Sequence, residues 1–264
     1  MARIGAITSR ENPHIKKAVK LAASSRSRRE NGLFVVEGVR LCMDALESGL
    51  AVAELFFTPQ AAERYPEAVT ALCAAASESF ETAPAAFAKI SDTVTPQGIL
   101  CLCGIPVHPA PDGVNPGGKY AALERIADPA NLGAIARTAE ALGLDGLILS
   151  PDCCDPYSPK SLRAGMGALF RLPLFMPAAF EKYIRSLREK GMELYAALPR
   201  QDAERVTDMV FGPGSVMVIG NEGNGLTRET IALCRPVTIP MGGRAESLNA
   251  AAAAAILMWE LLRG

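Results

Sequence analysis

The sequence predicts an α/β protein with a mostly parallel sheet covered on both faces. Three observations carry this. Apolar runs of strand length alternate with amphipathic stretches of helix length along nearly the whole chain. Glycines such as Gly49 and Gly143 stop the helical stretches. Clusters of Gly, Pro and Asn follow the apolar runs of the second half, at the strand ends where ligands sit in such sheets.

The elements follow in order. Residues 13–24 read as a short basic helix with Pro13 in its first turn. GLFVVEG, residues 32–38, is a strand between two glycines, and VRLCMDALESG an amphipathic helix stopped by Gly49. VAELFFT is a second strand, residues 60–76 hold two helical stretches, and QGILCLCGI, residues 97–105, is a third strand. PVHPAPDGVNPGGK then packs four prolines and three glycines into fourteen residues, which reads as a linker. This gives a small α/β domain at 1–104, a linker at 105–118 and a second α/β domain at 119–264. In the latter, YAALERIA, DGLILS, RLPLFM, MELYAAL, SVMVIG and PVTIP read as strands. NLGAIARTAEALG, PKSLRAGMGALF, 178–190, TRETIALC and 247–263 read as helices.

Composition sets the outer bounds. The chain has 264 residues, 49% apolar and 21% charged, which is ordinary for a soluble globular protein. The net charge of −1 gives no global basic character, but residues 1–40 carry nine Lys or Arg against Glu11, Glu30 and Glu37, a local +6. A basic end on a neutral chain predicts a polyanion partner for that end; the alternative is a solvated helix face. Seven cysteines without any Cys-x-x-Cys, and only two histidines, argue against a disulfide framework or a metal site. The thiols read as reduced and mostly buried, as in a cytoplasmic protein. No signal-peptide core and no uncharged run of membrane-spanning length is present, so no membrane partner is expected.

Three strand-end loops are the candidate site. In ADPANLGAIAR, Asn131 sits where a helix cap belongs, and Arg137 follows six residues later. VMVIGNEGNGLTRE runs a buried strand into a Gly-rich loop whose backbone can approach a ligand. Thr227 is a good N-cap there, with Leu226 and Ile231 as a hydrophobic staple. The spacing fits neither a dinucleotide fingerprint nor a P-loop. IPMGGRAESLN ends a strand in Pro and Gly-Gly before six alanines. Ser247 is placed to cap that helix, which leaves Asn249 unexplained as a merely helical residue.

These residues resemble the SpoU (TrmH-like) RNA 2′-O-ribose methyltransferases of the SPOUT superfamily. Asn131-x-Gly133-x-x-x-Arg137 looks like the first family motif. Gly220-Asn221-Glu222-Gly223 with Gly225-Leu226 resembles the second, and Ile239-Pro240-Met241 with Ser247-Leu248-Asn249 the third. KSLRAGMGALFRLP is similar to a family helix, although Gly165 stands where the family usually has Ser. SRENPHIKKAVKL and FVVEGVRL resemble the small substrate-binding domain that often precedes the catalytic one.

The resemblance implies a parallel-sheet SPOUT domain with a deep trefoil knot, preceded by a smaller RNA-binding α/β domain. It implies S-adenosylmethionine as cofactor, bound by Gly220, Asn221, Ile239, Met241, Leu248 and Asn249, largely through backbone. The reaction implied is methyl transfer to a ribose 2′-hydroxyl of structured RNA, foremost rRNA, with tRNA as the alternative substrate. Arg137 would either take the hydroxyl proton or bind the adjacent phosphate and stabilise the alkoxide. Asn131, Glu222, Ser247 and Asn249 would position the ribose and Arg137. A homodimer through the catalytic domain is implied as well. The rival reading is a non-catalytic RNA-binding protein that keeps the fold.

Overall fold

The computed structural model describes residues 4–200, 202–221 and 223–263. In chain order, the first part holds β1 (Ile4–Ile7), α1 (Pro13–Ala23), α2 (Ser25–Asn31), β2 (Leu33–Glu37), α3 (Val39–Glu47) and β3 (Val52–Phe57). It continues with α4 (Pro59–Arg64), α5 (Pro66–Ala75), β4 (Glu78–Thr82), α6 (Pro84–Ile90) and β5 (Ile99–Gly104). Next come β6 (Tyr120–Leu123), α7 (Pro129–Leu142), β7 (Gly146–Leu149), α8 (Pro159–Gly165), α9 (Ala168–Arg171), β8 (Leu174–Phe175) and α10 (Phe180–Glu189). The chain closes with β9 (Glu193–Ala197), β10 (Glu204–Arg205), β11 (Ser215–Ile219), α11 (Arg228–Ile231), β12 (Arg235–Thr238) and α12 (Ala250–Arg263). No helix among the described residues is long and apolar enough to cross a membrane.

By packing, the chain forms two compact units: Met1–Val107 with Tyr157–Phe170, and His108–Pro156 with Arg171–Gly264. The first carries a mixed five-stranded sheet in the order β1-β4-β3-β5-β2, with β5 antiparallel to both neighbours. Its β1 and β4 have no strand signal in the sequence; ESFET, for one, sets polar residues around a single large apolar one. The polar α2 is equally silent. Ser24 caps it by accepting from the Ser27 N–H at 3.2 Å. Arg28 belongs to the basic patch by sequence, but it is buried and donates to the carbonyls of Leu21 and Ala22 at 2.6 and 3.0 Å. It holds the end of α1 and is no surface charge.

Residues 157–170 fall in the second domain by sequence, yet they pack in the first unit. Tyr157 and Phe170 lie against Phe34 with ring centroids 4.8 and 6.0 Å away, and Arg163 pairs with Asp92 at 2.8 Å. An amphipathic pattern tells that a helix buries one face, not which sheet covers it. The single helix expected here is also broken, since Met166 adopts φ 47° between α8 and α9.

The second unit carries an all-parallel seven-stranded sheet, β10-β12-β9-β11-β6-β7-β8. Its interior strands β6, β7 and β11 are buried at every residue, as both-face coverage demands. The expected linker ends in this unit: Val114 joins its core, and the Tyr183 hydroxyl donates to the Pro111 carbonyl at 2.5 Å. The strand expected over 120–127 stops at Leu123, where Glu124 and Arg125 turn out of the sheet.

Candidate ligand cavity at the strand ends

The site starts from β11. The strand is wholly apolar apart from Ser215 and runs directly into Gly220. A Cβ on Gly220 would lie 2.4 Å from the Gly225 carbonyl carbon and 2.6 Å from the Leu226 nitrogen. The loop doubles back on itself, and only glycine fits at its neck. The Gly225 N–H donates to the Asn221 carbonyl at 2.9 Å, closing the loop. The Asn221 side chain is consumed by this architecture. Its Oδ1 accepts from the N–H groups of Gly223 and Asn224, and its Nδ2 donates to the Arg125 carbonyl at 2.9 Å. What Asn221 offers a ligand is therefore mostly backbone.

Glu124 and Arg125, strand residues by their sequence pattern, instead clamp this loop. Arg125, at φ 59°, donates from Nη2 to the Gly225 carbonyl at 3.1 Å. Glu124 is buried at 6% exposure. Its carboxylate accepts from the Thr227 N–H (2.9 Å), the Thr227 hydroxyl (2.8 Å) and the Thr230 hydroxyl (3.0 Å). Thr227 in turn caps α11 by accepting from the Thr230 N–H. Leu226 and Ile231 pack into the same core, as a staple requires. In sequence Glu124 is only a charge at the end of a buried strand; the partners that make it a clamp, Thr227 and Thr230, lie 103 and 106 residues further along.

The third loop, residues 239–249, is exposed and leads into α12. Its cap is Asn249, not Ser247. Asn249 Oδ1 accepts from the N–H groups of Ala251 and Ala252 at 2.9 and 3.2 Å. The same correction applies to α7, which Asp128 caps through the Ala130 N–H, leaving Asn131 in the first turn. Freed from capping, Asn131 accepts a hydrogen bond from Asn249 Nδ2 at 3.1 Å. Two motifs 118 residues apart thus meet at one point. Behind them α12 packs along α7, burying Ala250, Ala254 and Leu257 on one helix and Leu132, Gly133 and Ala136 on the other. Small side chains let the two backbones approach closely.

Between the second and third loops lies a cavity of about 540 Å³. Of the sequence-predicted residues, Gly220, Asn221, Ile239, Met241, Ser247 and Leu248 line it. Leu198, Pro199 and Arg200, beyond β9, complete the wall and carry no signal in the sequence. Asn131 and Asn249 bond to each other without lining the cavity, and Glu222 lies outside the described residues. Arg137 is exposed on α7, is not among the lining residues, and has no hydrogen bond or ion pair among the described residues. Near the α7 cap, burial first, then Cys153 and Asp128, push the Cys154 thiol up to about 12.

A parallel sheet with a polar-and-apolar cavity at its carboxyl edge marks a small-ligand-binding α/β domain. Comparison with known proteins narrows this class. The SpoU rRNA methylase family matches residues 119–259, and the MRM3-like substrate binding domain matches residues 12–101. The chain belongs to the SpoU rRNA methylase family. It is 29% identical to the 23S rRNA (guanosine(2553)-2'-O)-methyltransferase RlmP of Bacillus subtilis, over 97% of this chain and 98% of that one. It is 31% identical to the 23S rRNA (uridine(2479)-2'-O)-methyltransferase of Streptomyces viridochromogenes, over 97% and 91%. The crystal structure of an AdoMet-bound rRNA methyltransferase from Sinorhizobium meliloti superposes with a TM-score of 0.87 at 30% identity, covering 98% of each chain.

Proposed function

We propose that the protein transfers a methyl group from S-adenosylmethionine to a ribose 2′-hydroxyl of ribosomal RNA. The observation that carries this reading is the cavity. Its volume suits a nucleoside with an amino-acid tail. Leu198, Ile219, Ile239 and Leu257 supply apolar wall for a ring, while the Gly-rich loop supplies bare backbone for polar edges.

When bound, the cofactor supplies a methyl group on a sulfonium, which needs little activation. The hydroxyl needs it, because it must lose a proton as it attacks. We assign that end of the reaction to Arg137. A guanidinium keeps its proton, so Arg137 acts by holding the neighbouring phosphate and stabilising negative charge on the 2′ oxygen, while the hydroxyl proton passes to solvent water. Asn131, Ser247 and Asn249, with Glu222, position the ribose; the Asn131–Asn249 hydrogen bond supports a shared role for these two residues.

The reading includes a homodimer on the second unit, with α12 threaded through a loop as a trefoil knot. Ile256 and Trp259 on α12 are 39% and 58% exposed, an apolar surface that a second copy would cover. Since Arg137 stands away from its own chain's cavity wall, a two-fold contact would let it serve the partner's cavity. Residues 1–104 dock the RNA. A cytoplasmic location accords with the free thiols and with an rRNA substrate.

The test is site-by-site mapping of ribose methylation in rRNA and tRNA from a strain lacking the protein. One missing mark in rRNA, restored by the wild-type chain and not by the Arg137→Ala variant, is expected. A mark missing only from tRNA overturns the choice of rRNA, and an unchanged map overturns the enzymatic reading.

A further inference from the structure

The cavity wall carries two charged side chains among the described residues, Arg200 and Glu246. They are of opposite sign, and both are exposed rather than sealed into the core. Arg200 is also pre-oriented. Its Nε and Nη2 donate to the two carboxylate oxygens of Asp202 at 2.9 and 2.5 Å. A tight turn holds its backbone, with the Arg200 N–H donating to the Leu198 carbonyl at 2.9 Å.

A guanidinium has five N–H donors in one plane. Asp202 takes one from Nε and one from Nη2. The outer edge, formed by Nη1 and the second Nη2 proton, remains for a further acceptor. That edge matches a carboxylate or a phosphate in two-point fashion. A lone positive group would favour a phosphate. A positive and a negative group on one wall favour a zwitterion.

We infer that Arg200 recognises the carboxylate, and Glu246 the ammonium, of the amino-acid tail of the cofactor. This rests on the reading of the cavity as the S-adenosylmethionine site. Asp202 is then a positioning residue that acts through Arg200. The pair selects the intact cofactor over nucleosides that fill the apolar part of the cavity but lack the charged tail.

The test measures binding by calorimetry, without turnover, for two probes: S-adenosylhomocysteine, and 5′-methylthioadenosine, which lacks the tail. The wild-type protein is expected to prefer S-adenosylhomocysteine. Arg200→Gln should lower its affinity by about ten- to a hundredfold, the size of one charge-assisted contact, with methylthioadenosine affinity within about twofold of wild type. Glu246→Gln should act in the same direction, and retained methylthioadenosine binding certifies that each variant is folded. Equal losses for both probes, or no loss for either, overturn the assignment. An Arg200→Gln protein that keeps the wild-type probe preference and loses RNA affinity instead also overturns it, and gives Arg200 to a phosphate. A wild-type protein that binds neither probe overturns the reading of the cavity, and the assignment falls with it.

Discussion

Replacing Glu124 tests whether the Gly-rich loop is held from beneath. The carboxylate accepts three hydrogen bonds, from the Thr227 N–H, the Thr227 hydroxyl and the Thr230 hydroxyl. Glu124→Ala removes the acceptor and strands the half-buried Thr227 N–H and the buried Thr230 hydroxyl beside a void, while the Thr227 hydroxyl keeps the Thr230 oxygen at 2.9 Å. A hydrogen bond to a charged group contributes about 1.5–3 kcal/mol, and each stranded buried group costs about 1–3 kcal/mol. These values describe the same loss twice and are not additive, so about 3–5 kcal/mol is expected for the whole change. Glu124→Gln keeps one oxygen for the Thr227 N–H, and both hydroxyls can turn to accept from the new amide. It should cost only about 1–2 kcal/mol, the charge assistance. Urea unfolding followed by circular dichroism measures both. Amide hydrogen exchange should lose protection at residues 227–231 before the rest of the sheet, and S-adenosylhomocysteine affinity should fall with it. An Ala variant within about 0.5 kcal/mol of wild type, or a Gln variant as damaged as Ala, would refute the clamp.

Four further outcomes rest on the geometry. Gly220→Ala should abolish S-adenosylhomocysteine binding in calorimetry, because its Cβ would sit 2.4 Å from the Gly225 carbonyl carbon. Arg137→Ala should lose several orders of magnitude in methyl transfer, each about 1.4 kcal/mol, while cofactor affinity stays within about twofold; full turnover in a methylation assay would reject the assignment. Replacing the exposed Lys20, Arg29 and Arg40 together by Ala should flatten the salt dependence of RNA binding, by about 0.9 for each duplex phosphate no longer neutralised or about 0.7 for single strand; an unchanged slope removes them from the interface. Cys154, pushed up to about 12 chiefly by burial, is almost wholly protonated at pH 8, so mass spectrometry should find it alkylated by iodoacetamide far more slowly than free cysteine.

The parts of the site that the sequence discloses are those where local chemistry is unusual. A buried strand that empties into Gly-Asn-Glu-Gly-Asn-Gly has few structural uses, and the cavity opens there. The residues it conceals are ordinary ones made special by neighbours distant in the chain. Leu198, Pro199 and Arg200 face the cavity because β9 lies between β11 and β12, and strand order is not written in any local pattern. Glu124 passes for the end of a strand until Thr227 and Thr230 are seen to converge on it. Asn249 is superfluous in a helix only while the cap is placed two residues early. Once it is the cap, one amide does two jobs: Oδ1 ends the helix and Nδ2 reaches Asn131. That is why Asn serves there: Asp lacks the donor, and Ser is too short to span both.

The basic end is a weaker charged surface than its sequence suggests. It holds a local +6 by residue count, yet Arg28 is buried, Lys17 pairs with Glu54 at 2.7 Å, and Lys16 with Glu11 at 2.8 Å. Lys20, Arg29 and Arg40 are the exposed cations left for a polyanion among its described residues beyond Arg10 and Arg26, which bond to Ala85 and Glu30. Cutting the chain after residue 104 would be the direct way to remove them, but it removes more than charge. Residues 157–170 lie within the matched methylase region and pack in the first unit. Deleting residues 1–104 strips Phe34 from Tyr157 and Phe170, and uncovers Leu162. Each large apolar side chain so exposed costs about 1.5–3 kcal/mol, a sizeable share of the whole stability of a domain. A weakened RNA affinity in such a fragment would report unfolding as readily as the removal of charge. The cations have to be replaced in the intact chain, where the salt slope separates a phosphate-binding cation from a structural one.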